Sequence, residues 1–144
     1  MRYLICLAAA LWLFVMTTPS LAGPGIPDLK GTWIIRGSGI GHEKPGGTPP
    51  GKLHITKLRP AIEVEYIMVI DDQDGFRFSG YTESSRKRET ISGVVGFDNE
   101  TVYIVDNDGM HMARLVSPDK MEAVYLHNTK DHSIASRDII TRKR

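Results

Sequence analysis

Two neighbouring runs hold the residues of this chain best suited to grip a small molecule. Met110, Met112 and Arg114 fall at every second position of one run, and Met121, Ala123, Tyr125 and His127 do so in the next. In a strand, residues two apart share a face. Turned inward, these two faces would combine a polarisable apolar lining with a few polar handles, as ligand pockets do. Methionine also fills gaps in cores, so a packed interior is the competing expectation. Tyr66, on the Ile62–Ile70 run, and Tyr103, on the Thr101–Asp106 run, add aromatic surface. With Trp33 near the start of the first run, the candidate ligand-binding residues are Trp33, Tyr66, Tyr103, Met112, Arg114 and Tyr125.

Catalysis finds little support in the same residues. The only cysteine, Cys6, lies in the N-terminal apolar run, and no serine sits in a Gly-x-Ser-x-Gly elbow. Asp106-Asn107-Asp108-Gly109 and Asp71-Asp72-Gln73-Asp74-Gly75 look like the middle of a calcium loop. Aligning Gly109 or Gly75 as the sixth loop position puts Ile104 or Ile70 where the first Asp ligand belongs, so neither is an EF-hand. Both read instead as hairpin turns, where Asp and Asn tolerate left-handed backbone. His127 and His132 flank a turn, but two histidines without a third ligand make a weak zinc signal. The expectation is a non-enzyme with no catalytic set, no metal site and no cofactor.

The chain opens on Met1-Arg2-Tyr3, runs apolar from Leu4 to Met16, and reaches the small residues Ser20 and Ala22 after a Thr-Thr-Pro break. That order is the one a secretory signal peptide follows. The run is short of the ~20 residues that a permanent bilayer anchor needs. The expected domain organisation is therefore a signal peptide over 1–22 and one domain over 23–144, in a secreted or periplasmic protein with no integral membrane anchor. Processing leaves 122 residues with 17 basic and 17 acidic side chains and no cysteine. A neutral chain is a poor nucleic-acid binder. An exported chain without cysteine relies on its core rather than on disulfides.

That core is expected between strands. Apolar–polar alternation marks Thr32–Gly37, Leu53–Leu58, Ile62–Ile70, Phe76–Tyr81, Thr90–Phe97, Thr101–Asp106, Met110–Val116, Met121–His127 and Ser133–Thr141. Turn-forming residues separate them, and Asp108-Gly109 is the strongest two-residue hairpin signal. Strands joined by hairpin-length turns pair antiparallel with their sequence neighbours. The predicted fold is all-β, an antiparallel up-and-down meander of about eight strands closing into a small barrel, with a two-sheet sandwich as the alternative. Gly37–Gly51, rich in Gly and Pro, is expected to be a long loop, either a lid or a tether.

Gly31-Thr32-Trp33 at the head of the first strand, followed by such a meander, resembles the calycin group of secreted barrels. With Phe78-Ser79-Gly80-Tyr81-Thr82-Glu83-Ser84, it is more avidin-like than lipocalin-like. The resemblance implies that Gly31 starts the strand tightly and that Trp33 plugs one barrel end. It also implies an Arg from a late strand over the Trp face, with Arg137 better placed than Arg142. Avidins wall biotin with several tryptophans, whereas the processed chain keeps only Trp33, and Tyr103 or Tyr125 would replace one wall at most. The expected function is binding of a small apolar or amphipathic ligand. The alternative is a protein-binding module, such as an inhibitor of a secreted enzyme, acting through Gly37–Gly51 or a barrel face, and an enzyme of unknown reaction is the minor alternative. By analogy with avidins, an oligomer is also allowed.

Overall fold

Period-two alternation gives each strand an inward and an outward row, and a single curled sheet gathers the inward rows around one core. A computed structural model describes residues 25–43, 62–130 and 132–144. Eight strands follow in order: β1 (Gly31–Glu43), β2 (Ile62–Asp74), β3 (Arg77–Glu83), β4 (Arg88–Val95), β5 (Thr101–Val105), β6 (Gly109–Ser117), β7 (Lys120–Asn128) and β8 (His132–Arg142). Each pairs antiparallel with its neighbour, and β8 returns to β1, so the sheet is a closed barrel rather than a sandwich. Closure removes the two exposed edges that an open meander would leave.

The inner face is apolar towards one end. Leu29, Trp33, Ile35, Met68, Ile70, Ile104, Met121 and Ile140 are wholly or almost wholly buried there, with Phe78, Ile91, Val95 and Val102 beside them. Trp33 closes that end. Its indole Nε1 donates to the Leu29 carbonyl at 2.9 Å, and the Leu29 amide donates to Gln73 Oε1 at 2.7 Å, which fixes the entering chain across the barrel bottom. Gly31 enters β1 with φ +128°, a conformation that side-chain-bearing residues rarely adopt.

The arginine over Trp33 is Arg142, not Arg137. Its guanidinium lies 4.2 Å from the Trp33 ring centroid and donates to the carbonyls of Lys30, Asp28 and Pro118. The reason is strand parity. Trp33 pairs with Arg142, and the buried positions of β8 are Asp138 and Ile140, so the odd-numbered Arg137 faces outward.

Three further expectations change. Gly37–Glu43 is not loop but the second half of β1, laddered to β8 and, through Gly39, to β2; residues 44–51 lie outside the described residues. Asp71–Asp74 continues β2 beyond a bulge between Ile70 and Asp72, and the turn comes at Gly75, with φ +58°. Asp108-Gly109 is not the centre of a primed turn. The Asp106 carboxylate accepts from the amides of Asp108 and Gly109, and among the described residues positive φ occurs only at Gly31, Gly75 and Asn99. The strand expected at Leu53–Leu58 and the signal peptide over 1–22 lie outside the described residues.

Replacing Arg142 by Met removes a cation–π contact and several charge-assisted hydrogen bonds, and is expected to cost about 2–3 kcal/mol in a denaturant melt. Replacing the outward Arg137 by Met should stay within about 0.5 kcal/mol. Equal losses would refute the assignment of Arg142 as the plug arginine.

Candidate functional site

Away from Trp33 the inner face changes character. Tyr66 follows Met68 up β2, Thr82 lies on β3, Glu89 starts the inner row of β4, and Asp106 lies just past the end of β5. His111 heads the buried row of β6, while Tyr125 and His127 continue that of β7 beyond Ala123. Ser136 and Asp138 belong to the inward row of β8. The polar half of the barrel opens as a cavity of about 720 Å³. Tyr66, Thr82, Glu89, Asp106, Tyr125 and His127 line it, and the Ser84–Lys87 turn stands at its mouth.

Beneath the cavity floor a histidine and an aspartate are buried side by side. His111 Nδ1 is 3.3 Å from Asp138 Oδ2, both side chains being at least 98% buried. Their geometry is not that of a hydrogen bond, and neither atom has another partner. The other Asp138 oxygen accepts from Ser136 Oγ at 2.8 Å, and His111 Nε2 lies 3.4 Å from the Tyr66 hydroxyl. The chain Asp138–His111–Tyr66 thus runs from the core up to the cavity. Gly37, opposite Asp138 across the β1–β8 ladder, makes the space for it: a Cβ there would overlap the carboxyl group. Gly109 does the same for Tyr125, whose ring occupies the place of a β6 side chain.

The wall of the cavity is acidic. Glu89, Asp106 and Asp108 bring one carboxylate oxygen each within 4.8 Å of one another. Lys87 Nζ sits 2.6 Å from Glu89 and 3.2 Å from Asp108. His127 Nδ1 lies 3.0 Å from Asp108, with its ring stacked on His132 at 4.6 Å, and the His111 and Tyr125 ring centroids are 4.5 Å apart. Burial, then the nearby charge of Asp138, pushes the Tyr66 phenol far above its ordinary value. Burial, then Asp106, does the same to Tyr125. Burial also pushes the Asp108 carboxyl up, but Lys87 and His127 outweigh it and hold the group below the usual range. The Glu89 carboxylate raises Lys87.

Of the sequence candidates, Tyr66 and Tyr125 meet in the cavity and Trp33 lies at the opposite, closed end. Tyr103, Met112 and Arg114 point outward, with Tyr103 43% and Met112 41% exposed and Arg114 paired to Glu100. A bulge is the cause. The turn pairs Ser117 with Lys120, a register that carried onward would set Met112 opposite Tyr125. Between Ser117 and Leu115 the register slips by one, so Met112 faces Val124 and His111 faces Tyr125. A one-residue slip exchanges the two faces of a strand. Unanticipated were Glu89, His111 and Asp138, while Asp106 and Asp108, read from the sequence as turn residues only, also stand in the cavity wall. The available signal was charge at positions that continue an apolar row, such as Asp138 before Ile140.

No protein-family model matches the chain, and no curated protein matches it. Among solved structures, a redesigned beta barrel aligns with a TM-score of 0.47 at 10% identity, over 81% of this chain and 92% of that one. An S-type phycobiliprotein lyase from Guillardia theta aligns with a TM-score of 0.40 at 9% identity, over 81% of this chain and 89% of that one.

Two outcomes follow from this geometry. Gly37→Ala should cost about 1–3 kcal/mol by overpacking, and less in an Asp138→Ala background, because the overlapping carboxyl is gone; additive losses in the double-mutant cycle would contradict the contact. In an alkaline absorbance titration, Tyr66 and Tyr125 should stay unionised past the ordinary phenol range near pH ~10. Because the folded values are raised, their contribution to stability is complete below that range and is lost as pH climbs above it. Tyr66→Phe should flatten that alkaline loss.

Proposed function

We propose that this chain is an exported, non-catalytic barrel that holds a small amphipathic ligand in its open polar end. The carrying observation is the division of the interior. One half is packed solid around Trp33, while the other leaves about 720 Å³ lined by two phenols, two histidines and carboxylates. An eight-stranded barrel has room for one small ligand when its own side chains do not fill it. Binding is favoured over catalysis because His111 and Asp138 lie below the cavity lining, and burial holds both phenols in their protonated form. The export reading rests on the apolar N-terminal segment with small residues at its end.

A second reading is favoured by the outer surface. Val94, Tyr103, Met112 and Val124 form one cross-strand row, and Val105, Met110, Leu126 and Ala135 form the next. Most of these side chains are exposed. Contiguous apolar surface of that kind marks protein contacts, and it supports a protein-binding role for the β4–β8 face.

Native mass spectrometry of full-length protein purified without organic solvent separates the two. The cavity reading expects a small-molecule adduct that is lost on denaturation and absent from Ile134→Trp, which fills the mouth. An adduct-free protein whose partner capture is abolished by Met112→Glu on the outer face would replace it with the second reading.

A further inference from the structure

The side chains around the cavity give it a definite hydrogen-bonding polarity. Asp138 is an acceptor, and a carboxylate beside His111 Nδ1 favours the tautomer with its proton on that nitrogen. In that tautomer His111 Nε2, 3.4 Å from the Tyr66 hydroxyl, is the acceptor of the two, which leaves the phenol oxygen's lone pairs for the cavity. The wall adds the carboxylates of Glu89, Asp106 and Asp108. His127, over nine-tenths buried in that wall, rests Nδ1 against Asp108 and leaves Nε2 without a hydrogen-bond partner. Six carboxylates line the cavity against two cationic side chains, Arg86 and Lys87, so acceptors are in excess.

Arg86 lines the mouth, and a lysine already stands among the carboxylates. The Lys87 ammonium contacts Glu89 and Asp108 while its side chain remains half exposed, at 51%. It shows the size and charge of the group that fits: a primary ammonium on an apolar stem. Lys87 reaches only Glu89 and Asp108, while one oxygen of Asp106 accepts from the Asp108 and Gly109 amides, so the three carboxylates share a single side-chain ammonium.

We propose that the open end of the barrel takes a small organic ammonium ion, its N–H groups on Glu89, Asp106 and Asp108 and its apolar stem against Tyr66 and Tyr125. This rests on the reading of the cavity as a ligand site. Lys87 then acts as a tethered competitor that the ligand displaces.

Calorimetry at low salt on the full chain tests this with three probes of one length: cadaverine, pentanediol and glutarate, and with calcium chloride as a fourth. The expected result is saturable binding of cadaverine alone. Glu89→Gln should weaken it about tenfold, as loss of a charge-assisted contact does. Lys87→Met should tighten it about fivefold by removing the competitor, a gain that mere damage to the fold would not produce. Circular dichroism confirms that each variant is folded. Preferred binding of pentanediol, glutarate or calcium would overturn the ammonium assignment while leaving a ligand site in place. Failure of all four probes overturns it as well, and an adduct-free native mass spectrum would then bring down the cavity reading too.

Discussion

The register between β1 and β8 is the constraint on which the rest of the barrel depends. Eleven residue pairs, from Trp33–Arg142 to Glu43–His132, close the sheet on itself. The same ladder sets Arg142 over the indole at one end and Gly37 against Asp138 further up. A slip of one residue would turn Arg142 and Asp138 to solvent and bring Arg137 and Ile139 inward. Closure, the plug and the burial of Asp138 are therefore consequences of one pairing, with glycine at 37 as its steric requirement.

Along the barrel axis the interior makes two different uses of burial. Around Trp33 it removes large apolar side chains from water, which supplies the driving force for folding. Above Met68 and Ile104 the inward row becomes Tyr66, His111, Asp138 and Tyr125. Taking an aspartate and a histidine out of water is costly, and breaking such a pair from one side is costlier still. A chain stabilised by packing alone would put apolar side chains there. The polar layer instead orients Tyr66 from below, and the carboxylates and Lys87 surround the cavity above it. That arrangement places hydrogen-bonding groups in the lining of the open end, which methionines facing inward would have left without them.

The β5–β6 hairpin shows how one segment serves both ends of this arrangement. Asp106 caps the turn by accepting from two backbone amides, and it also stands beside Glu89 and Asp108 in the cavity wall. Gly109, which turn chemistry alone would assign to positive φ, makes room for the Tyr125 ring instead. Local sequence preference and long-range packing thus select the same residues for different reasons.

The all-β class, the antiparallel meander and the closed barrel were legible in the chain, because alternation has a period of two and turn residues mark its breaks; the place of Trp33 at a barrel end was suggested only by the resemblance of Gly31-Thr32-Trp33, not by this pattern. Hydrophobic pattern is a local signal, and these features are local or follow from joining neighbours. The strand through Gly37–Glu43 was not legible, since glycines chosen for close approach of β8 look the same as glycines of a loop. The inward face of β6 was not legible either: both of its faces carry apolar residues, and the bulge before Ser117 that selects between them leaves no mark in composition. Arg142 over Arg137, and the gathering of Glu89, Asp106, Asp108, His111 and Asp138 about one cavity, were decided only by tertiary structure. Those contacts join strands distant in sequence, and their geometry depends on a register that a single strand does not contain.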